Sequence, residues 1–207
     1  MESGSETSSS YDRWARCYDR FISVFRLREV RRQTVQICGV RPGDRVLDVC
    51  TGTGDVALEF SRWCDDVTGI DLSGGMLAVA REKDRQGKIR FLQMDATGMD
   101  FADDAFDVSS VSFALHDMPP DVREQVLREM ARVTRGRVVV TEYHPPANRV
   151  LRTLYIAAAS LYESPYFPEF ARSDFEALLA RCGLEIVEQR RVHAGLLRIC
   201  LASPFRP

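Results

Sequence analysis

No two of the six cysteines form a CxxC pair; they stand at 17, 38, 50, 64, 182 and 200. That scatter argues against a zinc site or a disulfide framework, and no metal is expected. Several lie in apolar runs and read as small core residues. Excess basic charge is also missing, since the formal net charge is −2. A general polyanion binder needs surplus Lys and Arg, so no nucleic-acid partner is expected. The cluster Arg26, Arg28, Arg31 and Arg32 reads as a solvated helix face. No apolar stretch reaches the length of a membrane span. Met1 to Ser10 has neither a basic n-region nor an apolar h-region, so it is not read as a signal peptide. A cytoplasmic location is the expectation.

What is present is an ordered alternation of elements. Residues 1–10 are rich in Ser, Gly and Glu and are expected to be disordered. Tyr11-Asp12-Arg13 and Tyr18-Asp19-Arg20 follow, seven residues apart. Seven residues make about two helical turns, so the tyrosines share a face. A helical lid is expected over 11–43, with a second helix from about Arg28 to Cys38 stopped by Gly39 and Pro42-Gly43. The main domain spans 44–207. Five apolar runs read as strands, starting at Val46, Val67, Ile89, Phe106 and Arg137, with helices between them. Such units close by right-handed crossovers into a parallel sheet covered on both faces. The tail differs: Leu184–Val192 and Leu196–Ala202 meet through His193-Ala194-Gly195 as a hairpin. The expected fold is therefore α/β, a Rossmann-like doubly wound, seven-stranded, mostly parallel sheet with one antiparallel strand from that hairpin.

The densest motif is Val46-Leu47-Asp48-Val49-Cys50-Thr51-Gly52-Thr53-Gly54-Asp55. A buried strand runs into two glycines and a helix start. Glycines without Cβ atoms let a ligand approach, and the helix N-terminus offers unpaired N–H groups. Gly52-x-Gly54-x-x-Ala57, with Asp71 nineteen residues beyond Gly52, matches a dinucleotide fingerprint. Asp48 separates the ligands. A pyrophosphate beside it meets a like charge in low dielectric. S-adenosylmethionine (SAM) has no phosphate and carries an ammonium and a sulfonium. Asp71 then accepts from the ribose hydroxyls. At the end of the third strand, Asp95 accepts from an adenine amino group, with Leu72, Met76 and Ala96 flanking the ring. An NAD(P)-dependent oxidoreductase and a SAM-binding protein without turnover stay open as alternatives.

Taken together these motifs resemble those of class I SAM-dependent methyltransferases over residues 11–203. Val46-Leu47-Asp48-x-x-x-Gly52-x-Gly54, Gly69-Ile70-Asp71-Leu72-Ser73-x-x-Met76-Leu77 and Met94-Asp95-Ala96 are similar to the first three motifs. Phe101–Asp107 and Arg128-Glu129-Met130-x-Arg132-Val133 resemble the approaches to strands four and five. Tyr11-Asp12, Tyr18-Asp19, Cys50–Asp55 and Phe167-Pro168 are most similar to the ubiquinone/menaquinone C-methyltransferase group. That resemblance implies an opening helix over the SAM pocket, with Tyr18 at the cofactor and Tyr11 at the substrate. It also implies cofactor contacts from Thr51, Thr53, Ser112 and Phe113. This chain departs from the group in having His116-Asp117 where Arg-Asn is usual. It also lacks the Pro-Gly-Gly that usually precedes strand five.

Methyl transfer from sulfonium disperses charge, so orientation and dryness matter more than strong acid–base help. A base is needed only for a protonated nucleophile. His116, at the end of strand four, is the candidate base or orienting donor, with an ordinary pKa of about 6.5. Tyr143 is a second catalytic candidate, and His144 a substrate contact. Tyr155, Tyr162, Tyr166, Phe167 and Phe170 suggest an apolar pocket for a small aromatic acceptor. The turn of a nucleic-acid N-methyltransferase and the Pro-Cys of an RNA cytosine enzyme are absent. A small-molecule substrate is expected, and a homodimer is admitted.

Overall fold

The computed structural model describes residues 27–205. The expected disorder of 1–10 and the expected roles of Tyr11 and Tyr18 lie outside these residues. Helix α1 (Leu27–Cys38) buries Val30, Thr34, Val35, Ile37 and Cys38 on one face. It leads into β1 (Arg45–Val49), α2 (Asp55–Phe60), β2 (Asp66–Asp71), α3 (Gly74–Lys83) and β3 (Ile89–Gln93). Next come β4 (Phe106–Ser112), a 3₁₀ turn (Leu115–Asp117), α4 (Pro120–Val133) and β5 (Thr134–Tyr143). The chain ends in α5 (Arg149–Ala159), α6 (Phe167–Phe170), α7 (Phe175–Arg181), β6 (Leu184–Val192) and β7 (Leu197–Pro204). Among the described residues no helix is long and apolar enough to cross a membrane.

The sheet has seven strands in the order β3-β2-β1-β4-β5-β7-β6. The first five pair in parallel. β7 inserts antiparallel between β5 and β6, which makes it the antiparallel strand of the hairpin. Helices cover both faces, so the central strands β1 and β4 are buried along almost their whole length. Val46, Val108 and Val139 pack on one side with Phe60, Leu77 and Val30. Leu47, Val111, Val138 and Val140 pack on the other with Leu127, Met130 and Leu179. The strand order reverses between β1 and β4. Ligands bind doubly wound sheets in the crevice at that switch, outside the strands' carboxyl ends.

Helix α1 is tied to the sheet by polar groups as well. Thr34 Oγ1 lies 2.8 Å from Thr141 Oγ1 of β5, both buried. Arg137 donates to the Cys38 and Gly39 carbonyls and pairs with Asp44 at 2.6 Å. These bonds use the helix's free C-terminal carbonyls and place its N-terminal half over the switch point.

Candidate functional site

A cavity of about 630 Å³ opens at the carboxyl ends of β1 to β4. Thr51, Gly52 and Thr53 form one wall, Asp71, Leu72 and Met76 a second, and Asp95, Ala96, Ser112 and Phe113 a third. Ten of the sequence candidates thus meet in one place.

The glycine loop shows why these residues follow β1. Thr51 N–H donates to the Ile70 carbonyl at 2.9 Å, and Gly54 N–H to the Thr51 carbonyl at 2.9 Å. Gly52 has φ +54°, and a Cβ there would meet nothing within 4 Å, so its backbone faces open space. Gly54 differs. Its φ is +81°, and a Cβ would stand 2.9 Å from Ala80 Cβ and 3.0 Å from Phe91 Cζ. Gly54 is off the cavity wall. Its lack of a side chain serves the close approach of α2 to α3 and β3, not of a ligand.

Asp48 also lies off the wall, although a ligand contact was expected. It is buried under the loop, accepting from Thr51 Oγ1 at 2.6 Å and from Ser110 Oγ. Burial pushes its carboxyl up to about 6, against the hydrogen bonds that favour the ion. Asp71 links two loops at the wall: it accepts from Gly52 N–H at 2.8 Å and Ser73 N–H at 2.9 Å. Asp95 takes Thr97 N–H and Oγ1 on one oxygen, at 2.9 and 2.8 Å.

The donor set fits SAM. Four carboxylates line the cavity: Asp55, paired with Arg31 and Lys83, and Asp71, Asp95 and Asp117, with the apolar Leu72 and Met76 between Asp71 and Asp95 in sequence. Ser112 Oγ is buried without a hydrogen-bond partner among the described residues and belongs to the same wall. The cations beside the loop are committed elsewhere. Arg31 pairs with Asp55 at 2.6 Å and Lys83 with Asp55 at 2.9 Å. That leaves a pyrophosphate without a ready counter-charge above a buried carboxylate.

The β4 and β5 ends behave differently from the sequence reading. Phe113 has φ +53°, a strained backbone for an aromatic residue, and its N–H bonds to the Thr141 carbonyl at 2.9 Å. That turn sends His116 away from the cavity wall and into the protein. Its Nδ1 lies 2.9 Å from Glu142 Oε2, and its Nε2 lies 3.1 Å from Glu163 Oε2. Burial disfavours the charged ring, but Glu142 and Glu163 outweigh it and hold its pKa well above the ordinary histidine value. His116 is therefore an imidazolium held by two carboxylates, and a protonated ring is no base.

Tyr143 completes the cluster. Its hydroxyl donates to Glu163 Oε1, and burial followed by that bond raises its pKa. It too is off the wall. Glu142 Oε1 also accepts from Leu115 N–H at 2.9 Å, so this carboxylate shapes the turn after β4. His116, Asp117 and Glu163 bring three ligand-type atoms within 4.8 Å of one another. The Nε2–Oε2 spacing is that of a hydrogen bond, and a proton satisfies it. His144 is off the wall as well. Its N–H bonds to the Leu196 carbonyl at 2.8 Å, and burial with Arg198 and Arg191 lowers its ring pKa to about 4.

Several wall residues had no sequence signal. Leu27, Val30 and Arg31 come from α1, and Asp117 and Met118 from the turn after β4. Tyr166, one of the aromatics expected at an apolar pocket, comes to the wall from the segment before α6. Glu142 had one usable signal, its place near the end of a strand that points at the ligand edge. Glu163 had none.

A methyltransferase-domain family model matches residues 46–137. A demethylmenaquinone methyltransferase of Mycobacterium marinum is 38% identical over 228 aligned positions, covering 98% of this chain and 94% of that protein. One from Mycobacterium sp. (strain KMS) is 40% identical over 158 residues, or 72% of this chain, and the match spans 65% of its length. A solved SAM-dependent methyltransferase from Thermotoga maritima shares the fold with a TM-score of 0.69, at 18% identity over 95% of this chain and 98% of that one. The cavity's donor set and the extent of the mycobacterial match agree, and the dinucleotide alternative falls. The chain belongs to the class I SAM-dependent methyltransferases, in the family of the demethylmenaquinone methyltransferases, and its cofactor is SAM.

Proposed function

We propose that this protein transfers the SAM methyl group to a small, apolar, aromatic acceptor of the quinol type. One observation carries this reading: the cavity that holds the glycine loop and Asp71 is continuous with a wall made of Leu27, Val30, Phe113, Met118 and Tyr166. A polar nucleoside and a flat apolar ring are accommodated in one space. The names of the mycobacterial relatives support a quinone-type acceptor. In this reading Asp71 holds the ribose, Asp95 the adenine, and Ser112 Oγ a polar group near the reacting end. Asp48 acts through the loop it braces. The main domain at 44–207 carries the chemistry, with residues 11–43 as its lid, no nucleic-acid partner and a cytoplasmic setting.

SAM supplies an electrophilic methyl group on sulfur. On being methylated the acceptor would give up a proton to a side chain of the cavity. With His116 held as a cation, the proton-accepting role passes to Asp117, the cavity-wall carboxylate beside it, 3.5 Å from His116 Nε2. Methyl transfer from labelled SAM to a short-chain naphthoquinol tests the reading. Transfer by the wild type, with Asp117→Asn losing turnover at unchanged SAM affinity, is the expected result. A second reading, SAM binding without turnover, is favoured by His116 and Tyr143 both facing away from the cavity. Tight SAM binding with no transfer to any quinol would select it.

A further inference from the structure

Helix α5 carries an apolar face that the described residues leave exposed. Val150, Leu151, Leu154, Leu161 and Tyr162 are between 56 and 87% exposed. Val150, Leu154 and Ala157 recur at i, i+4 and i+7, so they form one stripe, and the turn after the helix adds Leu161 and Tyr162. The opposite side is spent on packing: Ile156 and Ala159 are buried against Phe167. A contiguous exposed patch of this kind marks an interaction surface.

The charge of the segment names the partner. From Asn148 to Tyr162 there is no Asp or Glu, while Arg149 and Arg152 stand in the first turn and just beyond it. Neither arginine forms an ion pair among the described residues. A second copy of the chain is a poor occupant, because a two-fold contact sets the same patch against itself and brings like charges together. An anionic lipid surface meets both features: apolar side chains enter the acyl boundary and arginines stay with the headgroups. Tyr166 on the cavity wall stands four residues beyond Tyr162 in the chain.

We infer that α5 and the turn after it dock this protein on an anionic bilayer surface, with the cavity rim turned to the lipid. This deepens the proposal of an apolar acceptor, which partitions into such a surface, but the docking is testable without it. Full-length protein is mixed with vesicles of phosphatidylcholine alone or with 30% phosphatidylglycerol, and sedimented. The wild type is expected to bind the anionic vesicles at least fivefold more tightly, with binding that weakens as salt rises. Leu154→Glu/Leu161→Glu should reduce binding more than tenfold, and Arg149→Glu/Arg152→Glu should remove the preference for anionic lipid. SAM calorimetry on each variant shows that the fold and cofactor site persist. Wild type that stays in the supernatant with both vesicles overturns the inference. So does vesicle binding undiminished in the leucine variant, or a wild-type dimer that the leucine variant splits into monomers. Coverage of α5 by residues 1–26, read by hydrogen exchange, would also overturn it. Methyl transfer to a soluble naphthoquinol fails only if the proposed reaction is wrong, so the two failures are distinct.

Discussion

The loop after β1 draws Asp48, Thr51, Gly52 and Gly54 from seven consecutive residues. The cluster after β4 draws His116, Glu142 and Glu163 from positions up to 47 residues apart. Both sit at the same edge of one sheet. In the loop a buried carboxylate is held by two neutral hydroxyls, Thr51 three residues on and Ser110 of β4, and its charge is disfavoured. In the cluster a buried imidazole is held by distant carboxylates, and its charge is favoured. The lesson is that burial alone sets neither charge state; the partner does. Two neutral hydroxyl donors leave burial dominant at Asp48, whereas two carboxylates overcome it at His116.

Breaking the cluster should have the largest effect. Glu142→Ala strips a partner from a buried charge and leaves the Leu115 N–H without its acceptor. It is expected to cost about 3–5 kcal/mol, seen as a Tm fall of about 10 °C for a chain of this size. A Tm within two degrees of wild type would mean the cluster is not under this tension. Breaking the loop's charge should do the reverse. With a folded pKa of about 6 against an ordinary 3.8, Asp48 favours folding when protonated, and that contribution is lost as pH rises through this window. Asp48→Asn is therefore expected to gain up to about 3 kcal/mol at pH 8 and nothing at pH 4. Denaturant titration at the two pH values decides it, and a loss at pH 8 would make the ionised form structural.

The loop's ligand contact is sharpened by Asp71→Ala. SAM affinity should drop more than tenfold, about 1.4 kcal/mol or more, and calorimetry that shows no change would remove Asp71 from the site. The smallest effect at neutral pH is expected from titrating His116. Its folded pKa is raised, so its stabilisation is whole below about 6.5 and fades as pH climbs through the folded value. Buried thiols such as Cys38 and Cys200, both pushed up to about 12, also weaken the fold at high pH. The contrast between wild type and His116→Gln isolates the ring: the gap between their melting temperatures should narrow from pH 7 to pH 10. A constant gap would show that the ring is not charged.

The parallel part of the sheet was legible because its strands are short, apolar-rich segments separated by helix-length stretches. The hairpin at 184–204 was legible because no helix separates its strands. The cavity wall from Thr51 to Phe113 was legible for a related reason: in a doubly wound sheet, the residues after each strand end share an edge. Gly54 shows the limit even there. Its motif position suggested a ligand contact, and only its neighbours Ala80 and Phe91 reveal a packing role.

By itself, then, the sequence determined the mostly parallel sheet and pointed to the cofactor, because strand periodicity and the glycine loop are encoded within a few consecutive residues. The tertiary structure alone decided which polar groups face the ligand and which are charged. Asp48 turned inward beneath the loop, and His116 was drawn from the cavity to Glu142 and Glu163. Protonation in a buried site depends on the distance to partners that the chain brings together only when it folds, and no spacing along the sequence contains that distance.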